Sequence, residues 1–159
     1  YKICQNKTFV VYLFYRKQII TYGGFTNFMT KVKFFICKHC GNIVGVIQDS
    51  GVPMVCCGEN MHELVANTSD GAFEKHVPVV SVEKTKDGYE IIKAKVGSVE
   101  HPMTDAHYIQ WIYLQTDKGG HRISLTPDNK PEATFILHDE KPIAVYEYCN
   151  LHGLWKAEV

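Results

Sequence analysis

The pair Cys37-Lys-His-Cys40, followed by the adjacent thiols Cys56-Cys57, constrains this chain more than any other feature. Two cysteines separated by two residues can point both sulfurs at one tetrahedral ion, and Gly41 eases the turn behind them. Adjacent side chains normally diverge. Cys56 and Cys57 therefore share an ion only if the turn is tight and the tetrahedron distorted, and Gly58 gives room for such a turn. From residue 31 to about 66 there is too little apolar area for a self-sufficient core, so a small ribbon built around its metal is expected. Residues 33–36 read as the strand leading in and residues 43–47 as the strand leading out, with Asp49-Ser50-Gly51 and Val52-Pro53 as a turn. Spacing alone does not separate structural zinc from redox-active iron. His39, between two thiols, reads as a surface residue.

Six cysteines in 159 residues could pair as disulfides in a secreted protein, but thiols gathered on two turns read better as ligands. Such ligands must stay reduced, which favours the cytoplasm. The length allows one ordinary core, or a modest core beside the metal-stapled unit. Seventeen basic residues offset seventeen acidic ones, so total charge calls for neither nucleic acid nor an anionic membrane.

Residues 1–28 stand apart, with Lys2, Lys7, Arg16 and Lys17 and no acid. The apolar run 9–15 is far short of the roughly 20 residues that cross a bilayer. No small-residue cleavage site follows it, which argues against an export signal. An edge strand or disordered lead is one reading of this extension. The other is an over-extended reading frame, since Met29-Thr30-Lys31-Val32 resembles a natural start and Gly23-Gly24 is what a purine-rich stretch ahead of it would encode. Cys4 falls here and receives no role.

From about residue 77 strands alternate with turns. Runs at 79–84 and 89–96 flank Lys86-Asp87-Gly88, a hairpin signal, and further runs fall at 108–116, 121–125, 133–138, 143–148 and 155–158. Seven short strands without a helical period predict an all-β chain: the ribbon, residues 29–66, then an immunoglobulin-like antiparallel β-sandwich, residues 67–159. In the second run Ile92, Ala94 and Val96 alternate with Ile91, Lys93 and Lys95, so one face is partly wet. Residues 108–114 are apolar on both faces, as for a central strand or a subunit contact.

A second constellation is scattered: His76, His101, His107, Cys149 and His152. A lone histidine is usually a surface or satisfied core residue. These, however, stand beside Pro78, Pro102 and a Cys-x-x-His turn, which fix the backbone direction in loops where sites are commonly grafted. Four neutral nitrogens and a thiolate suit a redox-active iron better than a structural zinc, which stops at four ligands. With the imidazoles in a square and the thiolate axial, the opposite position is open to an anionic oxidant.

Cys37-Lys-His-Cys40-Gly-Asn, Cys56-Cys57-Gly-Glu, Thr68-Ser-Asp-Gly-Ala, Glu74-Lys-His76-Val-Pro, His101-Pro-Met, His107-Tyr-Ile-Gln-Trp-Ile and Cys149-Asn-Leu-His152-Gly together resemble the desulfoferrodoxin and neelaredoxin superoxide reductases, specifically their two-iron members. The resemblance covers about residues 31–159. It implies a desulforedoxin- or rubredoxin-like iron centre on Cys37, Cys40, Cys56 and Cys57, and a catalytic iron on His76, His101, His107 and His152 with Cys149 as axial thiolate. It implies that Lys75 draws superoxide in and orders water for protonation, and that Glu74 closes onto the ferric iron after product leaves. Backbone amides just after Cys149 become candidates to hydrogen-bond its sulfur. Phe73 stands where many relatives carry a polar or charged residue, which would weaken local steering of the anion. The implied activity is one-electron reduction of superoxide to hydrogen peroxide, with rubredoxin or a similar small carrier as donor and a homodimer as the assembly. Dismutation, electron carriage by the four-cysteine centre alone, and an interaction domain with structural zinc are the competing readings.

Overall fold

Strand formation in the computed structural model, which describes residues 32–159, follows the alternation of the sequence. The expectations for residues 1–28, Cys4 among them, and for Met29 lie outside the described residues. In the ribbon, β1 (Lys33–Ile36) pairs antiparallel with β2 (Ile43–Val46), and Phe35 and Ile36 of β1 also face β5 (His62–Glu63). A separate two-residue pair, β3 (Val55–Cys56) with β4 (Glu59–Asn60), closes the second cysteine turn.

The seven expected sandwich strands are all present, with no limit moved by more than two residues. They are β6 (Pro78–Lys84), β7 (Glu90–Val96), β8 (Ile109–Thr116), β9 (Gly120–Ser124), β10 (Glu132–Leu137), β11 (Pro142–Cys149) and β12 (Gly153–Glu158). One sheet runs β10-β7-β6 and the other β12-β11-β8-β9, all antiparallel. On β7, Ile92, Ala94 and Val96 are buried while Lys93 and Lys95 are exposed, and β10 alternates likewise with Ala133, Phe135 and Leu137 inside. These side chains meet Ile109, Ile112, Leu114 and Val145 from the facing sheet in one core. Burial of each Ile, Leu, Val or Phe among them contributes about 1.5–3 kcal/mol against leaving the side chain in water.

The apolar character of both faces of β8 has a structural cause. Ile109, Ile112 and Leu114 fill the sandwich interior, while Trp111 turns outward and joins Tyr146, Tyr148 and Leu154 in a second cluster with Phe34 of the ribbon. The Phe34 ring lies 5.1 Å from that of Trp111, 5.3 Å from Tyr113 and 5.8 Å from Tyr146. The ribbon thus borrows a core from the sandwich, which answers its shortage of apolar area.

One feature absent from the sequence reading is α1 (Phe73–His76), a single helical turn. Four residues are too few to display a period. A β-bulge on β11 between Tyr148 and Cys149 is the other irregularity near the sandwich end, where it re-aims the chain just before the Cys149 turn.

Candidate metal centres

β1 delivers Cys37 to a turn in which Gly41 takes a φ of 78°, and the amide of Gly41 donates back to the Cys37 carbonyl at 2.9 Å. The backbone N–H groups of Cys40, chiefly, and of His39 point at the Cys37 sulfur and lower its pKa to about 7. His39 itself is exposed, as expected. The adjacent thiols are reconciled by backbone conformation: Cys57 sits in the left-handed region at φ 52°, followed by Gly58 at 82°. That turn brings the Cys56 and Cys57 sulfurs to 3.9 Å, with Cys40 Sγ 3.6 Å from Cys56 Sγ. A metal–sulfur distance of about 2.3 Å in a tetrahedron places sulfurs about 3.8 Å apart, so the four thiols fit one ion. Without a cation, ionisation of one thiol hinders the others, and contact with Cys40 above all pushes the Cys57 thiol up to about 12.

The second group gathers from three segments at one end of the sandwich. His76 comes from α1, His101 and His107 from the β7–β8 connection, and Cys149 and His152 from the turn between β11 and β12. All five ligand atoms lie within 4.8 Å of one another. Around the ring, successive imidazole centroids are 4.8 Å (His76–His101), 4.6 Å (His101–His107), 4.9 Å (His107–His152) and 4.7 Å (His152–His76), each pair 69–78° from coplanar. His76 and His107 face each other across 6.5 Å at 30°. This is a square, with each of that opposed pair about 3.2 Å from the centre; allowing about 1.1 Å from centroid to nitrogen leaves about 2.1 Å for a metal–nitrogen bond.

Hydrogen bonds fix which nitrogens face inward. Nδ1–H of His76 donates to the Ala72 carbonyl and that of His101 to the Pro102 carbonyl, both at 2.7 Å, leaving each Nε2 lone pair toward the centre. His76 Nε2 is 3.2 Å from His101 Nε2 and 3.0 Å from His152 Nδ1. His107 Nε2 is buried with no partner, an orphan that an ion at the centre would satisfy. Burial holds the His76, His101 and His107 imidazoles below their ordinary pKa, His101 at about 4, so all three are neutral near pH 7 as ligation requires. Cys149 is fully buried, 3.5 Å from His152 Nδ1, and burial raises its thiol while the amides of His152 and Leu151 hydrogen-bond the sulfur and pull the other way.

Glu74 and Lys75 are both exposed on α1. The Lys75 charge is felt by His76 and His107, and the residue borders a shallow bowl of about 540 Å³ shared with His101, Asn129 and Lys130. Glu74 is held through its backbone, whose carbonyl accepts from the Val99 amide at 2.9 Å and from Ser98 Oγ at 3.3 Å. The exposed Phe73 ring is edge-on to Trp155 at 5.0 Å, so its apolar character covers that indole. Sequence reasoning gave Asn150 no role. Its side chain accepts from the Tyr108 amide and donates to the Ala106 carbonyl, both at 2.9 Å, tying the His107 loop to the Cys149 turn. Its place inside the Cys-x-x-His motif was the only signal.

Comparison with known proteins places these two groups in context. The family model described as desulfoferrodoxin matches residues 68–158, and that of the desulfoferrodoxin N-terminal domain matches residues 30–64. A desulfoferrodoxin from Nitratidesulfovibrio vulgaris is 51% identical over 126 residues, covering 79% of this chain and 95% of that protein. A superoxide reductase from Pyrococcus abyssi is 34% identical over 105 residues, covering 58% of this chain and 91% of its own length. The crystal structure of the superoxide reductase from Treponema pallidum superposes with a TM-score of 0.66 at 39% identity, covering 80% of this chain and 99% of that one. Among the described residues no helix is long and apolar enough to cross a membrane.

Proposed function

From the premise that this chain belongs to the desulfoferrodoxin family, whose members bind two iron centres, we propose that it reduces superoxide to hydrogen peroxide at iron held by His76, His101, His107, His152 and Cys149. The observation that carries this reading is the square of imidazoles joined by a buried thiol, a five-donor set that a structural zinc would not use. Bound there, ferrous iron supplies the single electron that superoxide takes up, and an external carrier restores it.

The chain's own residues do the rest. The Cys149 thiolate favours the oxidised metal, and the amides of Leu151 and His152 moderate that donation by hydrogen-bonding its sulfur. Lys75 adds positive potential beside the square and draws the anion in. Glu74, its neighbour on α1, would offer the carboxylate that caps the ferric metal. Cys37, Cys40, Cys56 and Cys57 hold the second iron, whose contribution is chiefly to brace the ribbon. A rubredoxin-like donor, a homodimer and a cytoplasmic setting that keeps the thiols reduced complete the reading.

The test is a single turnover. Reduced, iron-loaded protein mixed anaerobically with superoxide, without donor, should oxidise one iron per superoxide, with thiolate-to-iron absorption appearing as it does so. A zinc-loaded preparation should be inert. Equal consumption by the zinc form, or none by the iron form, contradicts the proposal.

A further inference from the structure

Resting on the reading of those five side chains as iron ligands, we infer that Trp155 is a positioning residue for His76 and His152, and that residue 71 is glycine because the indole and both ligands leave no room for a side chain. Trp155 is fully buried on β12. Its ring lies over the His76 imidazole, centroids 4.8 Å apart and planes 19° from parallel. The Ala72 carbonyl already pins one edge of that imidazole, so the indole face blocks the remaining swing. The same indole reaches the second ligand by another route: Nε1–H donates to the His152 carbonyl at 3.1 Å, and Ser69 Oγ donates to that oxygen at 2.5 Å. His152 faces the square through Nδ1, the ring nitrogen nearer the backbone, so a backbone displacement reaches the metal position through a short lever.

Gly71 sits where the three side chains meet. A Cβ there would lie 2.9 Å from Trp155 Cζ2, 3.0 Å from His76 Cε1 and 3.1 Å from His152 Cβ. The backbone at Gly71 is not in the left-handed region, so the requirement is for space. None of the three neighbours is the free end of a flexible chain: one is an enclosed indole and two belong to proposed ligands. A side chain at 71 therefore acts on the square directly.

The experiment compares Gly71→Ala, Trp155→Phe and the double variant as iron-loaded proteins, reading the energy of the ferric thiolate absorption and the rate of iron loss to a chelator. Gly71→Ala should shift the band and speed iron loss from the histidine-cysteine site about 10-fold, the lower range for residues that orient metal ligands. Trp155→Phe should act in the same direction but less, because a smaller ring can still cover His76. In the Trp155→Phe background Gly71→Ala should do less harm than alone, since Cζ2 is gone, and this non-additivity is the signature of a shared contact. Absorption of the four-cysteine iron in the same samples reports an intact fold, and Trp155→Phe remains informative if Gly71→Ala fails to fold. Lowered thermal midpoints with unchanged band and chelator rate would make Trp155 an ordinary core residue and overturn the inference, as would strictly additive effects. Absence of the thiolate band from the iron-loaded parent protein would instead remove the ligand reading and the inference with it.

Discussion

Replacing Phe34 with alanine should detach the ribbon from the sandwich while leaving the imidazole square in place. Phe34 is only 6% exposed and touches three aromatic rings, Trp111, Tyr113 and Tyr146, none of which belongs to the ribbon. A buried Phe→Ala change costs about 3–5 kcal/mol through lost transfer energy and the cavity left behind. The upper half of that range is expected, because each aromatic pair contributes about 0.5–1.5 kcal/mol beyond area burial. Only a few half-buried apolar residues, among them Val32, Ile36, Ile43 and Leu64, would then hold the ribbon down. Urea unfolding followed at the four-cysteine iron absorption should show the ribbon melting ahead of the sandwich, and limited proteolysis should cut near residue 66. Phe34→Leu, which keeps most of the volume, should lose less than half as much. A loss under about 1 kcal/mol with coincident transitions would refute the reasoning that the outer face of β8 is apolar because the ribbon packs on it.

Cys149→Ser should abolish thiolate-to-iron absorption at the histidine site while sparing that of the four-cysteine centre; its persistence in optical spectra would reject the ligand assignment. Lys75→Ala should slow superoxide capture about 10-fold at low ionic strength, with the difference shrinking as salt is added, as stopped-flow rates would reveal. Glu74→Ala should change the ferric spectrum yet leave capture nearly intact, and an unaltered ferric spectrum would count against capping. Glu140 accepts from Thr116 Oγ at 2.7 Å and pairs with His121 at 3.1 Å, contacts that lower its pKa, Thr116 first. A depressed carboxyl stabilises above its unfolded pKa and loses that contribution as pH falls through the folded value. Glu140→Gln should accordingly cost about 1 kcal/mol at pH 7 and flatten the stability profile below the ordinary carboxylate range, measured by urea titration at several pH values.

The sandwich was legible because alternation survives on β7 and β10, where Lys93, Lys95 and Glu132 mark the wet face. It fails on β8 and β11, whose second faces are covered by Phe34 and its neighbours, and a local pattern cannot say which distant segment does the covering. Spacing brought Cys37 and Cys40 together. The convergence of Cys56 and Cys57 instead depends on a left-handed φ at Cys57, a strain no propensity announces. Each site histidine looked ordinary alone; only the fold closes His76 to His152 across 76 positions, and the motif resemblance anticipated that closure. Trp155, Gly71 and Asn150 carry no such signal, because Trp155 and Gly71 only pack against His76 and His152 and Asn150 only ties together the loops that carry His107 and Cys149.

The most direct test of the central claim is the yield of hydrogen peroxide and oxygen per superoxide consumed by iron-loaded protein supplied with a one-electron donor in an otherwise anaerobic vessel. One peroxide per superoxide and no evolved oxygen is the predicted result. Half as much peroxide accompanied by oxygen would make the activity dismutation and contradict the account.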